Sequence, residues 1–203
     1  MRQSVVLREK PLSFSDYYRI NADIEDIVAH FGYGFDVKKC VLPRQIVPQD
    51  LVETLQARLE RSLYHLTLSS EAARREFFIA PILLEVAFYT HTKIKVEYPL
   101  HVSEQLKGTL DYLLQGQNRL LVVEAKNADL QRGLTQLLTE LIALDAWIED
   151  EAPILYGAVS MGDIWRFALL ERPSKQLWQD IELYRVPADL NDLLQILVGI
   201  LGD

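Results

Sequence analysis

Asp111-Tyr112-Leu113-Leu114-Gln115-Gly116-Gln117-Asn118-Arg119-Leu120-Leu121-Val122-Val123-Glu124-Ala125-Lys126 is the stretch that decides how the chain is read. Gln115 to Asn118 are turn formers, with a glycine to absorb a positive φ, so residues 108–115 and 119–126 are expected to form a β-hairpin. If it is symmetric about Gln117 and Asn118, Asp111 lies opposite Glu124 and Thr109 opposite Lys126. Side chains alternate along a strand, so Glu124 and Lys126 project together while Val123 and Ala125 turn into the core.

Opposed Cβ atoms lie about 5 Å apart, where two ionised carboxylates repel and weaken the sheet. Lys126 supplies one positive charge against two negative ones. A hard divalent cation such as Mg²⁺, which takes carboxylate oxygens and keeps several waters, would complete the balance. The plain alternative is a charged patch on the polar side of a half-exposed sheet, since short E-x-K tripeptides are common.

The chain has 203 residues, 49% of them hydrophobic and 25% charged, a composition that supports one α/β folding unit. No run reaches the roughly eighteen apolar residues of a membrane span, and Met1 to Lys10 lacks the apolar segment of a secretory signal, so a cytoplasmic protein without a membrane partner is expected. The single cysteine, Cys40, excludes an intrachain disulfide, and the four histidines lack zinc-ligand spacing, which leaves oxygen as the donor for any metal. The net charge of −8 argues against a broad basic surface. Residues 1–75 nevertheless carry a net charge of +1 and residues 76–203 a net charge of −9, so a phosphate-contacting surface would draw on Lys38, Lys39, Arg44, Arg58, Arg61, Arg74 and Arg75.

Working outward from the hairpin, Ser13 or Ser15 caps a first helix that runs to about Phe31, and Phe35 to Leu42 is a short strand. Gln49 to Tyr64 has the apolar spacing of an amphipathic helix. A further helix begins near Ser69-Ser70-Glu71 and ends near Tyr89, with a kink expected at Pro81. Lys93 to Tyr98 is the first strand of the central sheet. After the hairpin come a long helix over about 129–148, strands at Ile154–Ser160 and Trp165–Leu170, an edge at Ile181–Val186 and a last helix from about Asp189 to Leu201. This order predicts a mixed central sheet flanked by helices on both faces. Residues 1–68 read as an N-terminal helical extension packed on a core of residues 69–203, the whole being a single folding unit.

A strand bearing Asp111, a neighbour ending in Glu124-Ala125-Lys126 and a helix directly after it resemble the restriction-endonuclease-like nucleases named for their PD-(D/E)-x-K motif, over roughly residues 70–170. The resemblance implies that Asp111 and Glu124 hold Mg²⁺, with Mn²⁺ able to substitute, that the Ala125 carbonyl adds a ligand, and that Lys126 orients or deprotonates a metal-held water or stabilises the phosphorane. It further implies an acid from the helix before the first strand, best matched by Glu76 as a metal ligand, and a glutamine from the following helix, best matched by Gln136. Leu110 stands where the motif name has proline, and Glu140 stands where the Gln-x3-Tyr pattern of one branch has tyrosine.

The function expected is metal-dependent, endonuclease-like hydrolysis of phosphodiester bonds in DNA. A homodimer would suit the pseudo-twofold symmetry of a duplex. The competing reading is a catalytically inactive nuclease-fold module for nucleic-acid or protein interaction. A carboxylate-pair glycosidase is a third reading, which the nearby lysine disfavours.

Overall fold

The computed structural model describes residues 10–116, 120–126, 128–149 and 152–202. An eight-stranded mixed sheet runs β1 (Gly34–Lys38), β7 (Gln176–Asp180), β6 (Ile164–Glu171), β5 (Ile154–Ser160), β4 (Leu120–Ala125), β3 (Leu106–Gln115), β2 (Lys93–Ser103), with β8 (Tyr184–Arg185) pairing β6 off that path. β1 lies parallel to β7 and β4 parallel to β5, while the other pairs are antiparallel.

Helices cover both faces. On one side α3 (Gln49–Leu63), α5 (Ala80–Thr90) and α7 (Leu190–Leu201) bury Leu59, Ile82 and Leu197 against Leu114, Leu121, Val123 and Phe167. On the other α1 (Phe14–Tyr17), α2 (Ile24–His30) and α6 (Leu130–Trp147) bury Phe14, Val28, Leu137 and Leu141 against Leu113, Val122, Leu155 and Leu170. No helix among the described residues is long and apolar enough to cross a membrane.

The described part of the hairpin keeps the expected register, with Tyr112 paired to Val123, Leu113 to Val122, Leu114 to Leu121 and Gln115 to Leu120, but the expected pairs Asp111–Glu124 and Thr109–Lys126 are not in the ladder. The turn at Gln117 and Asn118 lies outside the described residues. Leu121, Val122 and Val123 are fully buried on alternating faces. A slip of one residue would drive Glu124 into the apolar layer beneath α5 and α7, so burial on both faces pins the pairing.

Four elements differ from the sequence expectation. The first helix is two: a Ser13–Asp16 capping box opens α1, which ends after one turn at Tyr17, and Asp23 begins α2. Residues 1–68 are not only a helical extension, because β1 is an edge strand of the main sheet. β7 replaces most of the expected edge at 181–186, of which only β8 is a strand.

The fourth difference bears on the site. The helix from Ser70 is α4 (Glu71–Arg74), then a π-turn at Arg75–Ile79, then α5. Pro81, in the first turn of α5, has no N–H to give, and the hydrogen-bond ladder widens just before it instead of simply kinking.

Candidate active site

Normal alternation fails around Asp111. Leu110 and Tyr112 should share a face, yet Leu110 packs on the α6 side and Tyr112 on the α5 side; on β2, Tyr98 and Ile94 divide in the same way. The ladder skips the Glu97–Asp111 position, and Glu97 has a φ of 51°, a strained value for a residue with a Cβ. Asp111 also drops out of the β3–β4 ladder, and its Oδ2 accepts the Ala125 N–H at 2.9 Å. A side chain thus replaces a main-chain acceptor where the hairpin opens, which leaves Asp111 beside the end of β4.

Glu124 and Lys126 project together. Lys126 Nζ donates to Glu124 Oε1 and, at 2.9 Å, to the Ala125 carbonyl, while its backbone N–H holds Ser160 on β5. The stem of Lys126 lies under the start of α6, where a Cβ on Gly133 would come within 2.9 Å of Lys126 Cγ and 2.7 Å of Val159 Cγ2, so only glycine permits this approach. Tyr18 places its ring 5.5 Å from Nζ and anchors its hydroxyl on the Ala128 carbonyl.

Gln136 is buried. Its Nε2 donates to Glu124 Oε1 at 2.6 Å and to Glu140 Oε1 at 2.9 Å. Glu140 has no exposed surface, and the Gln136 amide bridges its carboxyl to that of Glu124. Burial, followed by the charge of Asp111, pushes Glu124 well above the usual carboxylate range; burial, followed by the charge of Glu124, pushes Glu140 well above it too. Burial pulls the Lys126 amine down, but Glu124, Glu71 and Asp111 outweigh it and hold the ammonium charged.

The structure therefore brings Asp111, Glu124, Ala125, Lys126 and Gln136 together. Glu76 is exposed on the π-turn, and its charge is felt at Tyr112; the acid of this helix whose field reaches Lys126 is Glu71. Sequence reasoning missed Glu140, Tyr18 and the contact of Arg75 with Asp111. Of the seven basic residues named for a phosphate surface, five make ion pairs: Lys38 with Glu171, Lys39 with Glu182, Arg44 with Asp192, Arg74 with Asp163, and Arg75 with Asp111 and Glu97.

The donor set fits a divalent cation in one respect. Glu124 Oε2 is buried without a hydrogen-bond partner among the described residues, beside the charge of Asp111. Such an oxygen takes up either a proton or a cation. No group of three or more His, Cys, Asp or Glu among the described residues is arranged to hold a metal, so an ion here would depend on two carboxylates, a carbonyl and water. Compared with known proteins, the chain matches no family model and no curated sequence.

Proposed function

We propose that this chain is a metal-dependent nuclease that hydrolyses phosphodiester bonds in DNA on a restriction-endonuclease-like core. The observation that carries the reading is the convergence of two carboxylates and one buried ammonium group at the open end of the β3–β4 hairpin. Asp111 and Glu124 would hold Mg²⁺ or Mn²⁺, with the Ala125 carbonyl as a further donor. When bound, the ion would polarise a phosphoryl oxygen and lower the pKa of water.

The chain's own groups account for the remainder. Lys126 is charged and fixed by two acceptors, so it can orient an attacking water and stabilise charge that develops on the phosphorane. Gln136 bonds Glu124 Oε1 and holds that carboxylate in orientation. Of the acids on the helix before β2, Glu71 is favoured over Glu76 because its charge reaches Lys126.

Plasmid and single-stranded DNA incubated with Mg²⁺ or Mn²⁺ should be nicked or cut, and chelation should abolish the products. Intact substrate in every metal overturns the reading in favour of a binding module without turnover.

A further inference from the structure

Among the described residues, Arg75 is the one cationic side chain of the site with no part in the roles given above. The π-turn carries it to the acidic cluster, where its guanidinium lies 3.4 Å from Asp111 Oδ1, 3.4 Å from Glu97 Oε1 and 5.3 Å from the ring of Tyr112. Neither ion pair is tight. Charge-assisted N–H···O bonds close to about 2.7–2.9 Å, as Arg74 with Asp163 at 2.8 Å and Arg172 with Asp145 at 2.6 Å do in the same protein. Arg75 is loosely shared between two carboxylates on adjacent strands, at the point where both strands break their alternation.

Its side chain is 19% exposed, so a ligand can reach it. A dication on Asp111 would repel a guanidinium only 3.4 Å from the same carboxylate. Arg75 would then keep Glu97 and Tyr112 on one side and gain a free fork of N–H donors on the other, in the geometry that matches phosphate. The other cations near the acids are committed: Lys126 to Glu124 and the Ala125 carbonyl, and Arg74 to Asp163 and the Met161 carbonyl.

We propose that Arg75 is the phosphate-binding residue of this site: it neutralises Asp111 in the free protein and passes to a backbone phosphate of the DNA when a divalent cation takes Asp111. This inference rests on the nuclease reading and adds to it a substrate contact that the metal-holding residues do not supply. It also couples metal and DNA, since each ligand removes a competitor of the other.

The test uses full-length wild type, Arg75→Gln and Arg75→Lys, with thermal melts to verify folding. Mn²⁺ affinity is measured by calorimetry, and binding of labelled DNA is measured in Ca²⁺ across a salt series. Arg75→Gln should bind Mn²⁺ more tightly, because a competing cation is gone. It should bind DNA about tenfold more weakly, with the slope of log K against log salt reduced by about one. Arg75→Lys should keep the slope but not the full affinity, since an ammonium is a point charge without the fork. Wild-type DNA affinity and slope in Arg75→Gln would overturn the role of Arg75 while leaving the nuclease reading intact if the protein still cuts. A wild type that neither binds nor cuts DNA would overturn both.

Discussion

Lys126→Ala is expected to lower the rate of metal-dependent DNA cleavage by about 10²- to 10⁴-fold, the range seen when a positioned acid–base or charge-stabilising group is removed. Lys126 is 9% exposed, and two acceptors and the Tyr18 ring fix its ammonium beside the acids. No other amine or guanidinium described near Glu124 bonds that carboxylate. Alanine removes the one group able to hold an attacking water and offset charge on the phosphorane. Lys126→Arg separates charge from geometry: it keeps the cation beside Glu124 but cannot place it in the space under Gly133, and it should not restore the rate. Single-turnover cleavage measures both. Equal rates in Lys126→Ala and wild type would end the catalytic claim for this residue.

The second large effect concerns stability and its pH dependence. The folded state binds protons on Glu124 and Glu140 more tightly than the unfolded chain does, because both carboxyls are buried, close to one another and to the charge of Asp111. The raised folded pKa means that this contribution is fully present below the ordinary value near 4.5 and is lost as pH rises toward about 8, where Glu124 titrates. Glu140→Gln keeps the shape, can accept from Gln136 and donate to Glu124, and cannot ionise. It should therefore be more stable than wild type at pH 8 by about 2 kcal/mol, roughly 4–8 °C for a chain of this size, with the gap closing near pH 5. Thermal melts at the two pH values decide it. A variant less stable than wild type at both would show that the fold does not favour the protonated form of Glu140.

The hairpin was legible because two physical signals agree there: a turn-forming cluster and an apolar run whose burial on both faces forbids a slip. Asp111, Glu124 and Lys126 follow from that register. Glu140 was obscured by the habit of placing polar helix residues in water. The signal against that habit lies in α6, where Leu134, Leu137, Leu138, Leu141, Ile142 and Leu144 spread round the helix and bury it. Gln136 and Glu140 inside such a helix needed partners, and the carboxylate at the end of the preceding strand was available.

Other parts were not legible for local reasons. β7 ends in Gln179 and Asp180, polar residues that read as loop; Asp180 is nonetheless buried and caps the Cys40 N–H at 3.1 Å. The π-turn follows from Pro81, but sequence fixes only that the ladder must be disturbed, not whether it bends or widens. The contact of Arg75 with Asp111 depends on that choice, and so does the strained Glu97 opposite it.

The most direct measurement is the anomalous scattering of a crystal soaked in Mn²⁺. A peak coordinated by Asp111 and Glu124 oxygens, with Lys126 still beside Glu124, is the predicted result. At saturating Mn²⁺, a peak bound elsewhere, or none against these two carboxylates, would contradict the account.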